Sequence, residues 1–450
     1  METDGLPPAR RRWSMATVTL VIGMAVLDGV IANVALPTIA RSLGATPAAS
    51  IWVVNAYNIA IVASLLPLAT LGEILGYRRV YQAGVAVFTV ASLACALSTS
   101  LPVLIAARVV QGLGAAGIMS MNSAMVRFSY PHAMLGRGIG FNAIVVALAS
   151  AAGPSIAAAI LGAADWPWLF AVNVPLGAAA LAIGSFALPK TPPAPRPFDL
   201  AAAVLNALTF GPLFMGLGGL TAGSNPVGSL AMTAFGLVAG TLLVLRSLSQ
   251  PQPLAPLDLL RIPLFAMAMG TSIASFLAQN FAFVALPFLI EYALGRTPVE
   301  TGLLMTPWSL AVAAVAPISG RLADRYPGGV IAAAGLVAMG AGLIALAMLP
   351  AEAGALDISW RMVLAGVGFA LFQSPNNRAM LSSAPRERAG SAGGMLATAR
   401  LMGQTTGAVL VALTLRLSTG APSPRILLIA AAFSFVAAVV SWLKPDRPAR

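Results

Sequence analysis

The chain has 450 residues, of which 58% are hydrophobic and only 9% are charged, and its formal net charge is +12. Soluble globular domains have about a quarter of their residues charged, so this composition excludes an ordinary water-soluble protein. A nucleic-acid partner would need a basic face with interleaved aromatic residues, and the sequence has none. A single cysteine, Cys95, and a single histidine, His132, predict neither a disulfide nor a metal site.

The first apolar run covers residues 15–39 and directly follows Arg10, Arg11 and Arg12. It resembles a signal peptide only superficially, because it is too long, is interrupted by Asp28 and has no small-residue cleavage site at its end. We therefore predict that this run is a retained membrane span.

Apolar runs of about 20 residues, the length that crosses a bilayer, recur along the whole chain between Gly, Pro and charged residues. They predict an all-α membrane protein with fourteen transmembrane helices. The predicted spans are residues 15–39, 50–70, 80–98, 102–126, 137–161, 167–188, 199–221, 226–247, 264–291, 302–321, 329–349, 361–382, 391–416 and 425–443.

Two proline-rich segments, residues 189–198 and 250–263, are typical of stiff linkers and divide the spans into groups of six, two and six. We predict a six-helix bundle over 1–189, a linker and an inserted hairpin over 190–262, and a second six-helix bundle over 263–450. Because the hairpin carries no deep charge, we expect it to pack at the periphery.

The basic residues predict the orientation of the spans. With a cytoplasmic N-terminus, two of the 26 Lys and Arg residues lie inside spans, five lie in outer segments, and the remaining 19 are cytoplasmic. The outer five are Arg41, Arg296, Arg361, Arg416 and Arg425. Since cytoplasmic loops are enriched in Lys and Arg, both termini are predicted to be cytoplasmic.

A glycine, acid and arginine motif follows the second span of each half, at residues 72–79 and 320–325. Its small residues allow two helices to approach closely, and its acid can meet a basic side chain at a gate. The repeat predicts duplicated halves. Its candidate gate residues are Glu73, Gly76, Arg78, Arg79, Asp324 and Arg325.

Five further motifs occur in order along the chain. They are Leu-Asp-Gly-Val-Ile-Ala-Asn-Val-Ala-Leu-Pro at 27–37, Arg-Val-Val-Gln-Gly-Leu-Gly at 108–114, Ala-Ser-Ala-Ala-Gly-Pro-Ser-Ile-Ala-Ala at 149–158, Trp-Pro-Trp-Leu-Phe-Ala-Val-Asn-Val-Pro-Leu-Gly at 166–177, and Arg-Leu-Met-Gly-Gln-Thr-Thr-Gly at 400–407. Together with the loop motif, they resemble the major facilitator superfamily, in its fourteen-span drug/proton antiporter branch.

This resemblance implies the major facilitator fold and uphill export driven by proton entry. It also implies an antiporter kink at Gly153 and Pro154, although three glycines of that family motif are alanine here. The predicted partners are protons, a small-molecule substrate and the lipid bilayer, with no cofactor and no metal. The chain is expected to act as a monomer in the bacterial inner membrane.

Asp28 is the one acidic residue that falls deep inside a predicted span. A carboxylate at that depth is costly unless it is protonated, paired or hydrated. Arg108 enters the bilayer from the other side to a similar depth, so an ion pair between the two is possible. The hypothesis is a proton switch at Asp28, for which a cationic substrate competes. The alternative is a static pair that only determines helix register.

Arg400 lies near the middle of span 13, where it either binds an anionic substrate group or bonds structurally to carbonyls or Gln404. Glu291 and Glu300, at the outer end of span 9, are assigned to the solvent-exposed surface. Further candidates for a substrate-binding wall are Tyr57, Asn58, Met119, Asn122, Asn142, Gln279, Asn280, Phe283 and Trp308. For each of these, ordinary helix packing is the alternative.

The sequence thus predicts a proton-coupled antiporter that exports small amphipathic drugs or metabolites, cationic or neutral, by alternating access. Two alternatives stay open: a facilitator or importer of a nutrient with the same fold, and a membrane sensor that does not transport. An enzyme is not expected, because no convergent Ser/His/Asp or Cys/His set and no phosphate-binding loop occurs in the sequence.

Overall fold

The structure is a computed structural model. It describes residues 5–131, 134–191, 197–222, 225–250, 253, 256–323, 325–350, 352–385, 388–417 and 423–444. His132, Asp324 and much of the two proline-rich linkers lie outside the described residues.

The described residues form fourteen helices that are long and apolar enough to cross a membrane, and no strand. This confirms the all-α prediction and the number of spans. The first half consists of α1 (Pro8–Ser42), α2 (Trp52–Leu75), α3 (Tyr77–Ala96), α4 (Leu101–Ser129), α5 (Leu135–Ala163) and α6 (Asn173–Ala187). The inserted hairpin is α7 (Leu200–Ala222) and α8 (Pro226–Leu248). The second half consists of α9 (Pro263–Phe288), α10 (Pro298–Leu322), α11 (Gly328–Ala347), α12 (Ala355–Ser383), α13 (Ala389–Leu417) and α14 (Leu427–Trp442).

Helices dominate because lipid offers no partner to a backbone N–H or C=O group, so each span must satisfy its own. Proline begins several of them, where its missing N–H costs nothing, as at Pro8 of α1 and Pro263 of α9. The helix α1 begins at Pro8 rather than near residue 15, because the intervening arginines continue the helix. Arg10 donates to the carbonyls of Ala187 and Leu188, at 3.2 and 3.0 Å, which ties the start of α1 to the end of α6.

Consecutive spans alternate in direction, so the starts of the odd-numbered helices share one end of the bundle. Most arginines lie there, including Arg12, Arg79 and Arg137, and we call this end the arginine-rich face. The other end is the opposite face. Ser14 of α1 and Ser129 of α4 meet at the arginine-rich face through hydroxyl groups 2.8 Å apart.

The two halves repeat one packing pattern. In the first half, α4 packs on α2 and α3, α1 packs on α5 and α6, and α3 packs on α6. In the second half, α12 packs on α10 and α11, α9 packs on α13 and α14, and α11 packs on α14. The equivalent helix pairs are the same, which supports the duplication predicted from the repeated motif. The proposed domain boundaries at residues 190 and 262 stay predictions.

The halves meet mainly along three helix pairs, α1 with α9, α2 with α13, and α5 with α10, and α1 also touches α10. The hairpin covers one of these junctions, because α7 packs on both α2 and α13. Asn206 of α7 donates to the carbonyl of Ala63 in α2 at 2.7 Å, and Arg416 of α13 donates to the carbonyl of Leu220 in α7 at 2.7 Å. The hairpin therefore contacts both halves, which its apolar sequence did not indicate.

Candidate transport site

The carboxylate of Asp28 is enclosed by three donors from two other helices. Arg108 of α4 donates to one carboxylate oxygen at 2.5 Å, and Gln111 of α4 and Asn173 of α6 donate to the other, each at 2.9 Å. The side chain of Asp28 is 1% exposed and that of Arg108 is 0% exposed. A buried charge is tolerated when it is paired and hydrogen-bonded in this way.

The guanidinium of Arg108 is held on several sides as well. Its Nε donates to the carbonyl of Val53 at 2.9 Å, and its Nη1 also donates to Gln111 at 2.6 Å. Its centre lies 4.0 Å from the ring centroid of Tyr57, which is a close cation–π contact. The pair therefore links α1, α2, α4 and α6 of the first half, and a change of charge at Asp28 would act on all four helices.

The sequence motifs account for this arrangement. Asp28 belongs to the motif at 27–37, Arg108 and Gln111 belong to the motif at 108–114, and Asn173 belongs to the motif at 166–177. Gln111 and Asn173 lie within these motifs, but the motifs did not predict them as site residues. An amide side chain on the inward face of a helix was the available signal, and it does not by itself predict a partner.

Both oxygens of Asp28 already have donors, so in this conformation neither is open to a cationic substrate. The predicted role of Asp28 and Arg108 in proton coupling stays a prediction, whereas the contact between them is a feature of the structure.

A second ion pair joins the two halves at the opposite face. Arg41, at the end of α1, donates through Nη2 to Glu291 at 2.5 Å. Glu291 lies in a π-helical turn that follows α9, Leu289–Ala293, and its side chain is 0% exposed. The guanidinium of Arg41 also lies 5.6 Å from the ring centroid of Tyr292.

The assignment of Glu291 to the solvent-exposed surface was wrong. The carboxylate is buried because α1 and α9 converge there and Arg41 covers it. A signal was available: α1 and α9 are equivalent helices of the two halves, and they end in opposite charges. Glu300 does lie at the surface, where it completes a capping box with Thr297 at the start of α10.

Near the opposite face, α5 and α10 touch closely. The hydroxyl groups of Ser155 and Thr306 are 2.8 Å apart, and a Cβ at Gly302 would collide with the carbonyl of Pro154. Gly153 likewise has no room for a Cβ beside Val30 of α1. The motif with the Gly153-Pro154 kink therefore lies where α1, α5 and α10 meet.

Toward the arginine-rich face, the same surface of each helix is exposed. Leu148 and Ile144, about two and three turns from Ser155 on one face of α5, are 60% and 56% exposed. Leu310, about one turn from Thr306 on α10, is 55% exposed. The close contacts described between α5 and α10 thus lie near the opposite face, and side chains farther toward the arginine-rich face are exposed.

The predicted gate motif forms the turn between α2 and α3. Gly76 has a φ of +93°, which favours glycine, and it ends α2 where α3 begins at once. Arg78 donates to the carbonyl of Ser185 in α6, and Arg79 is exposed. In the second copy Arg325 is exposed. The gate role of both copies stays a prediction.

The predicted substrate-binding residues divide into three groups. Tyr57 contacts Arg108. Phe283 and Trp308 pack edge to face across α9 and α10, with ring centroids 5.2 Å apart. In the described part of the chain no hydrogen bond joins the remaining candidates to the Asp28 cluster. These are Asn58, Met119, Asn122, Asn142 and Gln279, all at least partly buried, and Asn280, which donates to the carbonyl of Gln404 at 2.6 Å and so joins α9 to α13.

Fourteen helices long and apolar enough to span a membrane, arranged among the described residues as two repeated halves with a buried ion pair in the first, define a polytopic membrane protein built from two helix bundles. A sequence model of the Major Facilitator Superfamily matches residues 18–408 and 268–450. The chain therefore belongs to the major facilitator superfamily, as its motifs predicted.

Relatives and solved structures agree with this assignment. The chain is 52% identical to "Uncharacterized transporter YebQ" of Escherichia coli over 450 residues, covering 100% of this chain and 98% of that protein. It is 30% identical to "Riboflavin transporter RibZ" of Clostridioides difficile, covering 87% and 85% of the two chains, and 32% identical to "Multidrug resistance protein Stp" of Mycobacterium tuberculosis, covering 85% and 72%. The crystal structure of a D-xylose-proton symporter superposes with a TM-score of 0.71 at 13% identity, over 97% of this chain and 98% of that chain, which shows the shared fold.

Proposed function

We propose that the protein is a proton-coupled antiporter that exports small amphipathic compounds across the bacterial inner membrane by alternating access. The observation that carries the proposal is the enclosed pair of Asp28 and Arg108. An ionisable pair inside the membrane region is costly, and in transporters it marks a proton or substrate pathway. Relatives named as multidrug resistance proteins support export of amphipathic compounds.

The pair acts as a two-position switch. With Asp28 ionised, Arg108 stays against the carboxylate, the carbonyl of Val53 and the ring of Tyr57. A proton on Asp28 removes the charge attraction, and the guanidinium then exchanges its partner. Because these contacts join four helices of one half, the exchange alters how that half packs on the other.

The contact of Ser155 with Thr306 near the opposite face, and the exposed side chains of α5 and α10 beyond it, support a conformation open at the arginine-rich face. The excess of arginine there indicates the cytoplasm, so both termini are cytoplasmic and the site is open to compounds inside the cell. The ion pair of Arg41 with Glu291 holds the outer side closed in this conformation. The protein works as a monomer with no cofactor, since the switch and the junction between the halves lie within one chain.

A substitution at Asp28 tests this proposal. Asp28→Asn keeps the size of the side chain and removes its ability to carry and release a proton. In everted membrane vesicles, whose outer surface is the cytoplasmic face, with fluorescent amphipathic dyes in the medium, we expect this variant to lose the dependence of dye uptake on the pH gradient. Asp165→Asn, which changes an exposed loop acid, is the matched control and should transport like the wild type. Undiminished gradient-driven movement by Asp28→Asn would rule out the proton switch.

A facilitator or importer is the second candidate, because one relative is named a riboflavin transporter. A facilitator predicts equal movement with and without a pH gradient, whereas an importer predicts accumulation of substrate in cells. A sensor that does not transport predicts no movement of any dye in the same vesicles.

A further inference from the structure

The charged side chains inside the spans do not cancel. Asp28, Arg108 and Arg400 lie deepest in the spans, whereas other charged residues of the helices, such as Glu73 of α2 and Arg378 of α12, lie nearer a helix end. Asp28 and Arg108 neutralise each other in one ion pair at 2.5 Å. Arg400 is therefore left as one unmatched positive charge near the middle of α13.

The guanidinium of Arg400 has no hydrogen bond and no ion pair to any residue that the structure describes, and its Nε is buried without a partner. The residue as a whole is nevertheless partly exposed. An unmatched charge at membrane depth is costly, and it marks a functional site when nothing in the protein compensates it. The alternative from the sequence, a structural bond from Arg400 to Gln404 or to carbonyls, is not among the hydrogen bonds of the described residues.

The packing of α13 shows which way Arg400 faces. Gly403 and Gly407 lie directly against the backbone of α9, where a Cβ would collide with the carbonyls of Ile273 and Leu277. Leu401 packs in the core cluster that includes α2 of the other half. At helical spacing, Arg400 falls between these two surfaces, so its side chain is directed to the space between α9 and α2, at the centre of the bundle.

Tyr57 connects this space to the candidate proton site. Its ring lies under the guanidinium of Arg108 at 4.0 Å, and it belongs to α2, on which α13 packs. Its hydroxyl donates to the carbonyl of Ala25 in α1. A carboxylate bound at Arg400 would therefore lie against the helix that also carries the contact of Tyr57 with Arg108.

We infer that Arg400 binds an acidic group of the substrate, so that the substrate class is amphipathic organic acids rather than the cations or neutral compounds expected from the sequence. The inference rests on the proposed transport function and names the substrate class of the same site. A carboxylate would receive charge-assisted hydrogen bonds from the guanidinium. A cation would meet the positive charge of Arg400 and an Asp28 whose oxygens both have donors.

Matched aromatic probes test the charge preference. Naphthoate, naphthamide and naphthylmethylammonium share one ring system and differ in charge, and their equilibrium binding to the purified protein in neutral detergent is measured by calorimetry. We expect naphthoate to bind more tightly than naphthamide and the ammonium probe to bind weakest. Arg400→Gln should weaken naphthoate binding about tenfold or more, since a hydrogen bond to a charged group is lost, and should change naphthamide binding by less than about twofold.

Two further variants keep the result interpretable. Arg400→Lys retains the positive charge and should keep most of the naphthoate preference even if the glutamine variant is unstable. Arg261→Gln removes an exposed arginine that precedes α9, and it should leave all three affinities unchanged. Tighter binding of the ammonium probe, an equal loss for all probes in Arg400→Gln, or no binding of naphthoate by the wild type would overturn the inference.

The two proposals fail separately. Export of ammonium compounds that depends on the pH gradient would sink the acid preference and leave proton coupling intact. Naphthoate binding that depends on Arg400, combined with undiminished transport by Asp28→Asn, would sink the proton switch and leave the acid site intact.

Discussion

The ion pair between Arg41 and Glu291 offers a direct test of the proposed opening at the opposite face. The carboxylate is fully buried and the guanidinium is 45% exposed, with 2.5 Å between the paired atoms. Exposed pairs contribute about 0.2–1 kcal/mol, and removing one partner of a buried pair costs about 3–5 kcal/mol. A half-buried pair falls between these limits, at about 1–2 kcal/mol. Since the pair exists only while α1 and α9 are together, Glu291→Gln should shift the equilibrium toward the outward-open conformation by about 5- to 30-fold.

Spin labels on the two halves measure this shift. Ala163→Cys at the end of α5 and Leu356→Cys at the start of α12 place exposed labels at the opposite face, and native Cys95 is buried and protected from labelling. Pulsed electron spin resonance should show a larger population of long distances in Glu291→Gln than in the parent. Glu300→Gln is the control, because Glu300 is exposed and pairs with Arg296 within one half. Identical distance distributions in all three proteins would refute the idea that this pair holds the outer side closed.

Two other predictions concern the hairpin. Arg246 holds the pKa of Asp199 at about 2, below its usual 3.8, because the guanidinium hydrogen-bonds the carboxylate. The pair therefore stabilises the fold above pH 3.8, and this contribution is lost as the pH falls toward 2. The thermal stabilities of the wild type and Asp199→Asn should accordingly differ at neutral pH and converge under acid, and a constant difference would contradict the assignment. Asn206→Ala removes the hydrogen bond from α7 to α2 and should lower stability by about 1 kcal/mol, so that proteolysis of the junction between α7 and α2 becomes faster. Asn225→Ala, at a loop cap, is the control and should leave this proteolysis unchanged.

Much of the fold could be predicted because the bilayer imposes a local rule. A span needs about 20 apolar residues in a row, wherever its neighbours are, so run lengths alone predicted fourteen helices. Asp28 could be singled out for the same reason, since a lone carboxylate at that depth is conspicuous in the sequence. The depth rule also placed Arg108 opposite Asp28, although it could not supply Gln111 and Asn173.

Most of the site depends on contacts between residues far apart in sequence. Arg41 and Glu291 are 250 positions apart, and each alone reads as an ordinary charge at the end of a span. The burial of Glu291 follows from the convergence of α1 and α9, which no local pattern encodes. The position of the hairpin over α2 and α13 was missed for the same reason, because apolar helices that face lipid and apolar helices that face protein have similar sequences.

The sequence by itself determined the number of spans, the family and the presence of an ionisable group within the membrane region. These are properties of single segments, because the length of an apolar run and the position of a charge within it can be seen in the local sequence. Only the tertiary structure decided that both oxygens of Asp28 have donors and that Arg400 has no counter-charge among the described residues. Whether a charge is neutralised depends on which residue lies next to it, and these neighbours are determined only when the helices pack together.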